Sequence, residues 1–277
     1  MEILITVLVV LEILLLAAAF RIWATSSGIK KELKQILEDA KDRPQKIYSP
    51  RVIEKLPPPL QRYFDYCLTP GQQVPSIALV RQSGFIKTRE SSSWLPVSAV
   101  QYFDGRDPAF IWIARVSTSL GGWLSARDMY HRGKGNMLIR WLSIFTVTSA
   151  QGKEMDISSL IRYVSELTFC PTALIFSANI NWEAIGRDRV RASITDGSHI
   201  AGIEFDINKQ GQIIRACTVD RYRQGNGRWG KQEWIGTYSN YCQFNGMMIP
   251  TDIKAEWKSG QKSFNYVKLH LDSIKFA

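Results

Sequence analysis

Six polar side chains carry the chemistry this sequence offers: Asp128, Tyr130, Arg162, Glu166, Asp220 and Tyr222. Arg162 and Glu166 lie four apart in a stretch of helical periodicity, so they share a face and can pair. In the β-type stretches around the others, alternation sends Asp128 and Tyr130 to one side and Arg127 to the other. It likewise puts Asp220 and Tyr222 together, against Arg221 and Arg223. Gathered beside an apolar pocket, the six would make a ligand-binding site. As an acid–base set, Asp128, Glu166 and Asp220 would be the carboxyls, one needing a shifted pKa and a partner at hydrogen-bond distance. The plainer reading, and the favoured one, is a buried ion-pair network that fixes a helix to a sheet. No spacing makes any of them compulsory for catalysis, so no catalytic residue is assigned.

Other chemistries are poorly served. The chain has no HExxH, GxSxG, P-loop or GxGxxG motif. Cys67, Cys170, Cys217 and Cys242 are far apart with no CxxC, which signals neither zinc nor a disulfide framework and reads as four buried or half-buried thiols. No metal and no cofactor is expected. The net charge of +10 is spread along the chain rather than gathered in a stripe, with Arg187, Arg189 and Arg191 the one tight period-2 set. That disfavours nucleic acid as a partner and fits the wet outer face of a sheet, with acidic lipid the next choice.

The elements that must position these residues begin with an apolar run from Ile3 to Phe20. At roughly 18 residues it is just long enough to span a hydrocarbon core. A cleaved signal would need a basic n-region, which Met1-Glu2 does not supply, although Ala17-Ala18-Ala19 would serve as a cleavage site. A retained anchor is therefore expected. Glu12, in mid-span, would cost about 2.5–3.5 kcal/mol on insertion scales, which the surrounding leucines and valines offset. It is either a contact to another helix or a tolerated passenger. Arg21, Lys30, Lys31 and Lys34 follow the run, so flanking charge places the rest of the chain in the cytoplasm. Ile29, Leu33, Ile36 and Leu37 then form a narrow stripe at helical spacing, expected to pack on the soluble domain, the alternative being a helix whose lysines lie on anionic headgroups. Pro44 to Pro59 reads as a linker whose prolines open a helix over Leu60 to Leu68. The resulting division is an anchor at 1–24, a juxtamembrane helix and linker at 25–59, and one domain at 60–277.

From Ser76 onward short β-type runs alternate with turns. The turns include Asp104-Gly105, Gly133-Lys134-Gly135-Asn136, Asp196-Gly197, Gly225-Asn226-Gly227, Asn245-Gly246 and Ser259-Gly260. Val190, Ala192 and Ile194 against Arg189, Arg191 and Ser193 show one buried and one wet face, as in an antiparallel sheet. Phe110 to Ala114 is apolar throughout and should be covered on both sides. Glu154 to Phe169 breaks this pattern with Ile157, Leu160, Ile161, Val164 and Leu167 at helical spacing, Asp156 as N-cap and Pro171 beyond the end. A short helical turn at Thr172 to Phe176 follows. The fold class is thus α+β: a transmembrane helix, then a curved antiparallel sheet of about ten strands with an inserted helix on its concave face.

An ordered set of segments resembles an uncharacterised bacterial family, a domain of unknown function found behind N-terminal membrane helices. Leu56-Pro57 with Tyr63, Trp94-Leu95-Pro96, Arg127-Asp128-Met129-Tyr130, Arg162-Tyr163 through Glu166, and Pro171-Thr172-Ala173-Leu174 carry it. So do Trp182-Glu183-Ala184-Ile185, Asp220-Arg221-Tyr222-Arg223 and Trp234-Ile235-Gly236. The resemblance runs from about Leu56 to the C-terminus. It implies membrane association and a shared fold, with no activity or cofactor to carry over. By analogy, helices in the hollow of such a sheet are similar to the lipoprotein-carrier half-barrels.

Three functions follow as expectations. First is a membrane-anchored module binding a hydrophobic or lipid-like ligand, suggested by the anchor, the curved sheet and the nine Trp, ten Tyr and twelve Phe. Second is an enzyme using the Asp/Glu/Arg cluster on an envelope or lipid substrate. Third is a membrane-tethered scaffold docking a protein partner on an exposed edge or on the arginine-bearing face.

Overall fold

The computed structural model describes every residue except 119, 120, 178 and 226. The expected turn at Gly225-Asn226-Gly227 therefore falls partly outside the described residues. Helix α1 (Glu2–Asp39) runs unbroken from the apolar segment into the lysine-bearing stretch. Ile3, Leu4, Ile5 and the apolar residues on to Leu16 are exposed. The helix is long and apolar enough to cross a membrane, a property a signal sequence shares. Its second half packs Ile29, Leu33, Ile36 and Ala40 on Ile77, Tyr102, Ile111, Ile113 and Met129. Leu37, expected in that stripe, stays exposed, and Ala40 takes its place one turn beyond Ile36.

The segment after α1 forms β1 (Lys46–Ile47), a 3₁₀ turn at Pro50–Ile53 and α2 (Pro58–Cys67). Prolines occupy the first positions of α2, where their missing N–H costs nothing. The strand β2 (Gln73–Val74) pairs with β1. A meander follows: β3 (Ile77–Ile86), β4 (Leu95–Asp104), β5 (Phe110–Ser117), β6 (Trp123–His131), β7 (Lys134–Trp141) and β8 (Phe145–Gln151). After the helices α3 (Lys153–Glu166) and α4 (Pro171–Phe176) come β9 (Ile180–Gly186), β10 (Arg189–Asp196), β11 (His199–Ile207) and β12 (Ile213–Thr218). The small hairpin β13 (Tyr222–Gly225) and β14 (Arg228–Lys231) precedes β15 (Glu233–Phe244), β16 (Met247–Ser259) and β17 (Lys262–Phe276).

Among the described residues, thirteen strands make one antiparallel sheet in the order β8-β7-β6-β5-β4-β3-β17-β16-β15-β12-β11-β10-β9, rather than about ten. The two end strands β8 and β9 do not pair, so the sheet is open. α3 and α4 connect those edges. α3 packs on β6, β7 and β8 from one half and on β11 from the other, which requires the sheet to curve around it. The inserted helix thus lies on the concave face. Leu160, Ile161, Val164 and Leu167 are buried there, with Tyr63 and Phe64 of α2 in the same core. Strand β5 is covered on both sides: Phe110, Trp112 and Ala114 face the hollow, and Ile111 and Ile113 face α1.

Two local expectations change. Asp156 does not cap α3; Gly152 holds the N-cap position, and the Asp156 carboxylate accepts instead from the Gly135 N–H at 2.7 Å. The turn expected over Gly133 to Asn136 is shorter, with positive φ at Arg132 and Gly133, and Lys134 already begins β7. Gly135 belongs to the strand because α3 lies directly on it: a Cβ there would meet the Met155 carbonyl oxygen at 2.5 Å.

Candidate functional site

The inward positions of β4, β5 and β6 and one face of α3 build a polar cluster within the apolar hollow. Arg162 donates from Nη1 to Asp128 Oδ2 at 2.5 Å and from Nε to Glu166 Oε1 at 3.0 Å. Glu166 also accepts from Gln101 Nε2 at 2.7 Å. The guanidinium lies 5.1 Å from the ring centres of both Phe110 and Trp112. Trp112 in turn donates from Nε1 to Gln82 Oε1 at 3.0 Å. Burial works against the Arg162 charge, but Glu166 and Asp128 outweigh it and hold its pKa above the ordinary arginine value.

The other three named residues lie elsewhere. Tyr130 is fully buried on the same strand face as Asp128, but its hydroxyl donates to Asp196 Oδ2 at 2.7 Å, bridging β6 to β10. Burial and then that hydrogen bond push its pKa well above the usual tyrosine value. Asp156 lies nearby and reaches both halves, 3.3 Å from Lys134 Nζ and 3.6 Å from His199 Nε2. Asp220 pairs with Lys231 at 2.8 Å on the small hairpin. Tyr222 joins α3 by its backbone, its N–H donating to Ser158 Oγ at 3.0 Å, while its ring faces Lys231. The structure therefore unites Asp128, Arg162 and Glu166, and sets Tyr130 and the Asp220–Tyr222 pair apart.

Sequence reasoning missed Gln82 and Gln101 as members of the cluster, and Asp196 as the partner of Tyr130. The first two left a signal: Gln101 interrupts the buried alternation of Val97, Ala99 and Phe103, and Gln82 follows Ala78 and Val80 in the same way. Asp196 left none, because its partner sits 66 residues away. The thiols also differ from expectation: Cys67 and Cys170 are buried, Cys217 is half-buried and Cys242 is exposed.

Residues 46–269 match the family described as Family of unknown function (DUF6544), and the chain belongs to it. No curated protein matches the sequence. Among solved structures, the chain is similar to a LolA superfamily protein, NE2245, from Nitrosomonas europaea, at 10% identity and a TM-score of 0.43. That likeness covers 79% of this chain and 92% of the other. It is also similar to a DUF1329 family protein from Desulfovibrio piger, at 11% identity and a TM-score of 0.44, over 73% of this chain and 86% of the other.

Proposed function

For a member of a family with no assigned activity, we propose a membrane-tethered module that binds a hydrophobic or lipid-like ligand in the hollow of its sheet. In this reading α1 is a retained anchor, and the cations after its apolar run hold the domain at the cytoplasmic surface. One observation carries the ligand reading: within the Arg162 cluster, Asp128 Oδ1 and Gln101 Oε1 are buried acceptors with no protein donor among the described residues. An unpaired buried acceptor costs about 1–3 kcal/mol. Two donors on the polar end of a ligand, such as the N–H groups of a primary amide or two hydroxyls, would satisfy them, and its apolar part would lie among the aromatic and aliphatic side chains around them. Entry requires the N-terminal turns of α3 to lift from the mouth of the sheet, while Arg162 and Glu166 stay on Asp128 and Gln101. The contacts to release are Asp156 with Gly135 and His199, and Ser158 with the Tyr222 backbone.

The test is gentle purification of the full chain followed by native mass spectrometry and uptake of a fluorescent fatty acid. The expected result is a co-purifying lipid and saturable uptake that falls in Gln101→Leu. Repeated absence of both lipid and uptake overturns the reading.

A further inference from the structure

A second arginine group occupies the outer face of the sheet, away from the hollow. α1 lies across that face, packing its second half on β3 to β6 and meeting β7 and the turn after it through side chains. Arg21 donates to the Ile144 carbonyl at 3.4 Å, Arg140 reaches Thr25, Arg127 pairs with Glu32 at 3.2 Å, and Asp39 meets Arg132 at 2.8 Å. At 1.5 Å rise per residue, this ladder extends roughly 27 Å along the helix. Its upper end, Arg21, is the first residue after the apolar run. The β7–β8 turn is therefore held at the level where α1 leaves the apolar phase. That turn presents Trp141, Phe145 and Val147 to solvent, with the two rings 5.8 Å apart. Aromatic side chains at that level suit the membrane–water interface.

Directly below the turn, between α1 and the sheet, lies a cavity of about 480 Å³. Its lining includes Arg81, Arg115, Arg127 and Arg140, with Trp123 and a single carboxylate, Asp272. Strand register explains the cluster. Arg81, Val100, Ile113 and Arg127 form one cross-strand row, and Ser98, Arg115, Ser125 and Arg140 the next. Few of these charges are compensated. Arg127 has Glu32, and Asp272 accepts from Ser83. Arg81, Arg115 and Arg140 make no ion pair among the described residues; Arg115 instead lies 4.0 Å from the Trp123 ring centre. Arg140 Nε is buried without a partner among the described residues. Arg127 is held by Glu32 and Asn136, which leaves Arg81, Arg115 and Arg140 as guanidinium forks on one cavity wall, a set suited to phosphate oxygens, which arginine binds in a bidentate manner.

We propose that this cavity binds the phosphate headgroup of an anionic membrane lipid, whose acyl chains run upward beside α1 while the β7–β8 turn dips into the interface. The site rests on α1 being a retained anchor and not on a ligand in the hollow.

The full chain in nanodiscs of phosphatidylcholine with a minority of phosphatidylglycerol, released for native mass spectrometry, tests this. The wild type should retain phosphatidylglycerol in preference to phosphatidylcholine. Arg81→Glu with Arg115→Glu should lower that retention at least about tenfold, and Arg81→Gln with Arg115→Gln by less. Charge reversal at Lys209 and Lys254 should leave it unchanged. Equal retention in the wild type and both double variants overturns the proposal. So does displacement of the lipid by millimolar inorganic phosphate, which would mark a site for the free anion, or an intact mass lacking the apolar run. Fatty-acid uptake into the hollow should be the same in all these variants, so failure of one site leaves the other distinguishable.

Discussion

Arg162 and Arg115 sit on opposite faces of one sheet, and their surroundings treat the same guanidinium in opposite ways. On the concave face Arg162 is saturated: two carboxylates accept from it, and it lies close to two aromatic rings in a position that is mostly buried. On the convex face Arg115 has one aromatic ring and no carboxylate among the described residues, beside three more arginines. A charge taken out of water needs its partners inside the protein, whereas a charge at the rim of a cavity can leave them to solvent or to a ligand. Pairing, rather than residue type, therefore separates a charge that organises the fold from one free to recognise something else.

The largest expected effect breaks the concave cluster. Glu166→Ala leaves Arg162 with one carboxylate and Gln101 with none, and should cost about 3–5 kcal/mol. Because Arg162 bridges two acids, replacing only the Arg162–Glu166 pair would strand Asp128. The compensated variant is Asp128→Leu with Arg162→Met and Glu166→Leu, which should recover most of the loss. Thermal melts of the full chain in detergent read both. A single variant that melts like the wild type but loses ligand uptake would instead mark Glu166 as part of an open site.

A smaller effect is expected where α3 seats on the sheet. Gly135→Ala places a methyl against the Met155 carbonyl and Ser159 Oγ, at 2.5 and 2.7 Å. Moving the helix by that much should cost about 1–3 kcal/mol, and hydrogen exchange should rise first in α3. The convex arginines give the contrast. Arg115→Gln loses only its contact with Trp123 and should shift stability by less than about 1 kcal/mol. A destabilisation as large as that of Glu166→Ala would show that both faces use their arginines structurally.

The same contrast explains what could be read from sequence. Alternation in Val190, Ala192 and Ile194, and helical spacing in Leu160, Ile161 and Val164, are local, so the antiparallel sheet and its inserted helix were legible. So was the Arg162–Glu166 pair, because its spacing lies within one helix. The closure of the mouth was not, since Tyr130–Asp196 joins strands from opposite halves and Asp156 ties α3 to Gly135 on one half and His199 on the other. Asp156 shows the cost of local reasoning: an acid in the first turn resembles a cap, yet its side chain goes to the backbone of a strand 21 residues earlier. The two convex rows of arginines depend on the register of five adjacent strands, which no single segment displays.

The smallest effect concerns the lower end of the α1 ladder. Asp39 accepts from Arg132 at 2.8 and 2.9 Å and meets His131 at 2.9 Å. Those hydrogen bonds, Arg132's first, hold its pKa down at about 2. A carboxylate depressed in the folded state stabilises fully above its unfolded pKa, near 4, and loses that contribution as pH falls through its folded value. The difference in melting temperature between the wild type and Asp39→Asn should therefore be constant from neutral pH to about 5 and shrink from about 4 towards 2. Asp39 is more than a third exposed, so water and salt screen the pair and the difference should be slight, fading further in high salt. A difference as large as that at Glu166, or one that persists at pH 2, would mean that α1 is bound to the sheet by its charges. The expected outcome leaves that task to Ile36 and Ala40, buried against Ile77 and Ile111.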